Sequence, residues 1–245
     1  MSVFMCAKEV RVLDLGSRLV EELGVKPIFQ IGPFTITESV FNTWILMLLI
    51  LLICVILTRN LKVMNPGRRQ LVAESIVTWI QNTAKNMLGE KAVGYTSYIC
   101  TVMIFIAFSN LSAILETKVN ADYTFMKPPT KDLNITIALA LMSIVLVEAA
   151  GIIDKGFGGW LKSFTKPIAI ITPINVLEIV IKPLSLCMRL FGNIFGGFII
   201  MELLKCLVPF AVPVPFSFYF DLFDGLIQAY VFVFLTAIYI QEAVE

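Results

Sequence analysis

The sequence predicts an all-α membrane protein with about five membrane-crossing helices and one amphipathic helix at the membrane interface. Of its 245 residues, 58% are hydrophobic and 15% are charged. The mean hydropathy is +0.87, well above that of a soluble domain of ordinary composition. Several apolar segments reach the roughly 20 residues that a helix needs to cross the hydrocarbon core of a bilayer. No long polar stretch separates them, which excludes a water-soluble catalytic domain.

The chain is predicted to hold an N-terminal extracytoplasmic segment, residues 1–39, and a single membrane domain, residues 40–245. The first residues lack the apolar core of a signal peptide, so the first hydrophobic segment is expected to be a retained span. An interfacial helix is predicted over about 68–88, because apolar Val72, Ile76 and Ile80 recur there at helical spacing between polar residues. A helix that links to a soluble partner is the alternative. The predicted spans cover about 40–58, 98–116, 133–153, 168–208 and 217–241.

The fourth of these spans is unusually long. Residues 168–208 are too many for one upright crossing and too few for two crossings with a loop. A strongly tilted or bent helix is therefore predicted, with Pro173 and Pro183 as its kink points.

Basic residues predict the orientation, because Lys and Arg accumulate in short cytoplasmic loops. The segments after the first and third spans are the richer ones, which places the N-terminus outside and the C-terminus in the cytoplasm. Those segments carry Arg59, Lys62, Arg68, Arg69, Lys85, Lys91, Lys155, Lys162 and Lys166, against Lys118, Lys127 and Lys131 after the second span.

The chain has no histidine and a formal net charge of +1. Without imidazole it has no histidine metal site and no histidine-based catalytic triad, and we expect neither metal nor cofactor. The balanced charge gives no reason to expect a nucleic-acid partner. Any proton handling would fall to carboxylates.

Polar and charged residues form one stripe within the long apolar segment. Such residues are costly at bilayer depth and are therefore candidates for function. Successive offsets of 4, 3, 4 and 4 place them on one helix face, and Gly192 and Gly196 beside them leave room for another helix. The stripe consists of Glu178, Lys182, Ser185, Arg189 and Asn193.

Arg189 has no acidic residue three or four positions away. Its nearest acid on the same face is Glu178, about 16 Å away at 1.5 Å of rise per residue. Its partner is expected on another helix of this chain, on a lipid headgroup, or on another protein. For Glu178 and Lys182 a plain ion pair is the alternative to a functional role, and Lys182 alone has the further option of reaching toward the interface.

The last span carries a second polar stripe, made of Asp221, Asp224, Gly225 and Gln228 at helical spacing. Two acids and an amide on one face can line a wet cavity for a cation, although the two aspartates follow a proline-rich turn and interfacial capping is the alternative. Glu148, near the end of the third span, is a further candidate acid.

Four motifs resemble subunit a of F-type ATP synthases, bacterial type, in the order that this family has them. The most specific is "KPLSLCMRLFGNIFGG", and the others are "PTKDLNITIALAL", "KGFGGWLKSF" and "GLIQAYVFVFLTAIYI". The resemblance runs from about residue 40 to the C-terminus.

The resemblance implies an ion-translocating stator subunit with no catalytic site of its own, whose long, tilted and kinked helical pair packs on a rotating c-ring. Arg189 matches the essential arginine that faces the ion-binding carboxylates of the ring, and Asn193 and Gln228 match polar residues near it. Two aqueous half-channels would meet the ring on either side of Arg189. The implied partners are the c-ring, the subunit b stalk, the remaining synthase subunits and the lipid bilayer, and the implied location is the inner (plasma) membrane.

The chain departs from the family at two positions. Many members carry an acid where this chain has Phe198, and some carry histidine or another polar group where it has Asp221. We therefore expect the acidic lining of the inlet to have moved onto Asp221 and Asp224, with Glu148 as a further candidate.

Two other classes of function compete with the stator. A self-contained secondary transporter tends to show two similar halves with paired broken helices, and the sequence shows no internal repeat. A purely structural anchor would not need Arg189 in its core. The coupling ion is expected to be H+, the commoner ion of the family, with Na+ as the alternative.

Overall fold

The computed structural model describes residues 27–31, 34–59, 61, 67–115, 117–118, 124–125, 127–164, 172–207 and 213–244. Most of the predicted extracytoplasmic segment, residues 1–26, lies outside this part. Five helical stretches in the described part are long and apolar enough to cross a membrane, which confirms the predicted fold class. They are Glu38–Thr58, Val93–Ile114, Leu133–Ser163, Thr172–Met201 and Pro215–Val244.

Two small sheets accompany the helices, and neither was predicted. Strand β1 (Pro27–Ile31) pairs antiparallel with β2 (Phe34–Thr37) just before the first helix, α1 (Glu38–Thr58). Strand β3 (Thr117–Lys118) pairs in the same way with β4 (Thr124–Phe125). Most of α1 is exposed on this chain, as expected for an apolar helix that faces lipid.

Helix α2 spans Arg68–Leu88, as predicted from its periodicity, and it is not one of the five apolar stretches. Its second half packs on the bundle through Ile80, Ala84 and Leu88, against α3 (Thr96–Leu111) and α7 (Gly225–Val244). The first half leaves Ile76 and other apolar side chains exposed. Its predicted place at the membrane interface stays a prediction.

Helix α4 (Leu133–Ser163) carries its own start and bend signals. Asp132 caps it by accepting a hydrogen bond from the backbone N–H of Asn134, at 2.9 Å. Gly156 has a φ of 69°, a left-handed conformation that glycine adopts without steric cost. The helix therefore bends there, close to the predicted end of the third span.

Helix α5 (Thr172–Leu207) is the long helix predicted from the fourth segment. It continues through Pro183, which has no backbone N–H to donate to the preceding turn. Pro173 was expected to kink the helix, but the helix begins at Thr172. Pro173 therefore lies in the first turn, where a missing N–H breaks no intrahelical bond.

The last span combines three pieces: the short helix α6 (Pro213–Phe218), a π-helix (Tyr219–Asp224) and α7. Helix α7 packs most extensively against α3 and α4, and α5 packs mainly against α4 and less against α7. Helices α5 and α7 run in opposite directions. We name the two ends of this pair the Asp224 end, where α7 begins, and the Glu242 end, where α7 finishes.

Candidate functional site

Arg189 is exposed on the surface of α5. Apolar side chains before and after it on the same helix are also open, with Ile181, Met188 and Ile200 at 53%, 55% and 42% exposed. A Cβ placed on the neighbouring Gly192 would meet no atom within 4 Å. Within the described residues, the guanidinium has no carboxylate and no hydrogen-bond partner. A permanent cation thus lies on an open apolar face of the helix.

The other members of the predicted α5 stripe lie on the same continuous helix. Ser185 is half-buried. Asn193 donates from Nδ2 to Asp224 Oδ2 at 2.6 Å, which joins α5 to the π-helix. This bond brings together one residue from each of the two predicted stripes.

The π-helix changes the second stripe. The predicted spacing assumed an α-helix throughout, whereas Tyr219–Asp224 is wound more widely, with bonds from residue i to i+5. The angle between Asp221 and Asp224 therefore differs from the one that the α-helical spacing gives. The side chain of Asp221 lies outside the described part of the structure.

The rest of that stripe faces the packed core. Gly225 and Gln228 are buried, and Gln228 is only 5% exposed. Its Nε2 has no hydrogen-bond partner among the described residues, an arrangement that costs free energy in a dry interior. The structure places this amide one turn along α7 from Asp224, inside the bundle rather than on its surface.

A buried polar network holds the junction between the π-helix and α7. Asn110 donates from Nδ2 to the carbonyl oxygen of Gly225 at 2.8 Å, and Thr130 donates to Asn110 Oδ1 at 2.8 Å. The Ser109 hydroxyl lies 3.3 Å from that of Thr130. A Cβ on Gly225 would come within 3.0 Å of Asn110 Cβ, so the close approach needs glycine.

Sequence reasoning missed this network. Its signal was present in the run Ser109, Asn110 and Ser112, three polar residues at the end of an apolar span. All three are buried, and buried polar groups need partners.

Phe198 occupies the position at which many members of the family that the motifs resemble carry an acid. The ammonium of Lys131 lies 5.1 Å from the centroid of its ring, a cation–π distance. A positive charge from the turn before α4 thus lies over the site of the missing carboxylate.

The Glu242 end holds a charged cluster. Lys182 Nζ lies 3.0 Å from Glu242 Oε2 on α7 and 3.5 Å from Glu178 Oε2 one turn away on α5. The ring centroid of Tyr239 is 5.2 Å from the same ammonium. Glu178 and Lys182 thus form the ion pair that was the alternative to a functional role, and Glu242 is a partner that the sequence did not single out.

Glu148 lies apart from both stripes. It accepts a hydrogen bond at 2.8 Å from the indole N–H of Trp160, which lies beyond the bend at Gly156. The ring of Phe164 packs edge-on against that indole at 4.8 Å, and a Cβ on Gly151 would lie 3.4 Å from it. Glu148 therefore joins the two parts of the bent helix.

Within the described residues, no group of three or more His, Cys, Asp or Glu side chains is arranged to hold a metal ion.

The sequence model of the family described as "ATP synthase A chain" matches residues 40–241. The chain belongs to this family. It is 37% identical over 218 residues to "ATP synthase subunit a" of Moorella thermoacetica, which covers 89% of this chain and 95% of that protein. Family membership confirms the resemblance drawn from the motifs, and with it ATP synthesis and ion transport in a membrane; it favours the stator over a self-contained transporter.

Two further relatives show the range of the family. The chain is 34% identical over 218 residues to "ATP synthase subunit a, sodium ion specific" of Propionigenium modestum, covering 86% of this chain and 75% of that protein. It is 34% identical over 217 residues to "ATP synthase subunit a 2" of a Bradyrhizobium species, covering 89% and 93%. Overall identity to a sodium-specific relative is thus close to that of the others.

Proposed function

We propose that this chain translocates H+ as the stator subunit of an F-type ATP synthase, with Arg189 facing the carboxylates of a c-ring. One observation carries the proposal. Arg189 lies exposed on an apolar helix face, beside a glycine with open space around it, and without an acidic partner in the described part of the chain. Such a charge in a membrane calls for a partner on another molecule.

The chemistry of the side chain fits this role. Arginine keeps its charge at any ordinary pH, and a cation favours the ionised form of a facing carboxyl group. Each ring carboxylate would thus lose its ion on reaching Arg189 and take up another after passing it. A loaded site cannot slip directly between the two half-channels.

The two ends of the α5 and α7 pair supply the half-channels in this proposal. Asp224 with Asn193, and Asp221 three residues before Asp224 in the sequence, line the inlet. Glu178, Lys182 and Ser185 line the outlet, on the opposite side of Arg189. Gln228 lies between, and Glu148 is retained as a candidate acid that a substitution can test.

The subunit would lie in the inner (plasma) membrane with its N-terminus outside and its C-terminus in the cytoplasm. The basic residues after the first and third spans support this orientation. Its partners would be the c-ring, the subunit b stalk, the remaining synthase subunits and the surrounding lipid.

Replacing Arg189 tests the proposal in reconstituted synthase. We expect Arg189→Ala to abolish ATP-driven H+ pumping and H+-driven ATP synthesis while the complex still assembles. Leu184→Ala changes another exposed side chain, five residues before Arg189 on α5, and should leave both rates near the parent values. Coupled synthesis in the Arg189→Ala complex would overturn the proposal.

Contact with the ring has its own test. A cysteine at Gly196 should form a disulfide with a cysteine placed in the outer helix of subunit c when rotation of the ring brings the two residues together. A cysteine at Phe157, which is 68% exposed and lies on α4 just beyond the bend at Gly156, should not. Absence of any cross-link along α5 would count against the docking face.

The ion is tested on the ring. With H+ as the coupling ion, Na+ should give no protection of the ring carboxylate against carbodiimide labelling. Protection by millimolar Na+ would assign sodium instead.

A further inference from the structure

Polar contacts on both sides of Arg189 tie helix α5 to the last span, to the π-helix on one side and to α7 on the other. At the Asp224 end, Asn193 bonds to Asp224 at 2.6 Å. At the Glu242 end, Lys182 bonds to Glu242 at 3.0 Å. Because α5 packs less extensively on α7 than on α4, the bond between Lys182 and Glu242 adds a polar link where the apolar packing between α5 and α7 is smaller.

The positions of these contacts relate directly to Arg189. Lys182 lies seven residues before it and Asn193 four residues after it, about 10 Å and about 6 Å along the axis. At 3.6 residues per turn, both lie within roughly 40° of Arg189 around the helix. Leu190 is buried on the side that faces the bundle. Arg189 therefore lies at the edge of the contact, where a small rotation of α5 changes its direction.

The two carboxylates that contact Lys182, those of Glu178 and Glu242, differ in the helices that they connect. Glu178 belongs to α5 itself, four residues before the lysine, and its contact cannot fix one helix against another. Glu242 belongs to α7, and its contact can. The side chains of Lys182 and Glu242 are 19% and 57% exposed, so solvent screens this pair in part.

We propose that Glu242 is a positioning residue for ion translocation: by holding Lys182, it fixes the rotation and height of α5 and thereby aims Arg189 at the passing carboxylates. This inference rests on the proposed function of Arg189. It assigns to Glu242 a role that acts through Lys182 and the helix, without contact with the ion.

The two glutamates provide a matched test, since each substitution by Gln removes one carboxylate charge beside the same ammonium, that of Lys182. We expect Glu242→Gln to lower the number of ions pumped per ATP hydrolysed roughly threefold to tenfold, with a raised passive leak of ions through the complex. Glu178→Gln changes the outlet lining but removes no link between helices, so it should slow pumping and leave this ratio close to that of the parent. Both are measured at equal amounts of assembled complex, so a loss of folding alone does not change the ratio.

Exchange of the charges provides the rescue. In a Glu178→Gln background, Lys182→Glu places two acids opposite each other and should uncouple the complex. Adding Glu242→Lys restores the pair in reverse and should restore most of the pumping ratio. If Glu242→Gln fails to assemble, this exchange decides the question alone.

The outcomes separate the two proposals. If Glu178→Gln and Glu242→Gln lowered the number of ions pumped per ATP equally, or if the exchange gave no rescue, the positioning role would be overturned and the proposed role of Arg189 would stand. Coupled transport in Arg189→Ala would overturn the proposed function itself, whatever the glutamate variants do.

Discussion

The two ends of the α5 and α7 pair are joined by different chemistry. At the Asp224 end a neutral amide bonds to a carboxylate, and uncharged buried side chains surround the junction. At the Glu242 end an ammonium bonds to two carboxylates whose side chains are 44% and 57% exposed. An amide donates a hydrogen bond to a carboxylate and leaves its negative charge in place. An ammonium between two carboxylates neutralises one of their two negative charges.

This difference suits different tasks. An acid that keeps its charge next to a neutral partner still attracts a cation, as an inlet requires. A screened ion pair at the other end is worth little as an attractor but joins two helices. The Asp224 end is therefore the part in which a single charge should matter most.

The strongest prediction concerns that charge. Asp224→Asn keeps an oxygen that can accept the bond from Asn193, and it removes only the charge. We expect ATP-driven ion pumping to fall more than about tenfold, the factor that corresponds to about 1.4 kcal/mol in the barrier. Pumping by reconstituted vesicles measures it.

Two controls sharpen this prediction. Asp154→Asn removes an exposed acid near the bend of α4 and should have no effect. Asp224→Leu removes the bond as well as the charge. Normal pumping in Asp224→Asn with a loss only in Asp224→Leu would show that the hydrogen bond matters and the charge does not.

A second prediction concerns the junction that presents Asp224. Gly225→Ala would place a Cβ 3.0 Å from Asn110 Cβ, and overpacking of this kind costs about 1–3 kcal/mol. We expect a lower midpoint of thermal unfolding for the assembled complex and slower pumping. The midpoint is read from the loss of intact complex on heating.

The control for this change is Gly94→Ala, since a Cβ on Gly94 would meet no atom within 4 Å. It should leave the unfolding midpoint near the parent value. If Gly225→Ala also left the midpoint unchanged, α3 and α7 could move apart to accept the methyl group without loss of stability. That result would contradict the expectation that the buried network holds them close together.

Much of this architecture was predictable because hydropathy reports it directly. An apolar run long enough to cross a bilayer specifies a helix almost by itself, and all five spans were found in this way. Arg189 stood out for the same reason, as a charge within such a run.

The contacts between helices were not predictable from one chain. Glu242 lies near the C-terminus, where a charged residue is ordinary, and only its approach to Lys182 gives it interest. The π-helix before Gly225 has no simple sequence signal, so the spacing of Asp221 and Asp224 was read with the wrong period. The role of Asn110 could be predicted only by knowing that the end of α3 packs against the start of α7.

The smallest predicted effect lies outside both ends, at Glu148. If its bond to the Trp160 indole is its whole role, then Trp160→Phe, which keeps a ring and loses the N–H donor, should cost only about 0.5–1.5 kcal/mol of stability. Glu148→Gln should cost no more stability, because its amide oxygen still accepts the bond. Its pumping rate should stay within about twofold of the parent, a change of less than about 0.5 kcal/mol in the barrier.

An ion-conducting carboxylate behaves differently, since removing its charge slows transport while loss of its tryptophan partner does not. Slow pumping in Glu148→Gln beside normal pumping in Trp160→Phe would thus return Glu148 to the ion path, and similar small effects in both would make it a structural joint of the bent helix.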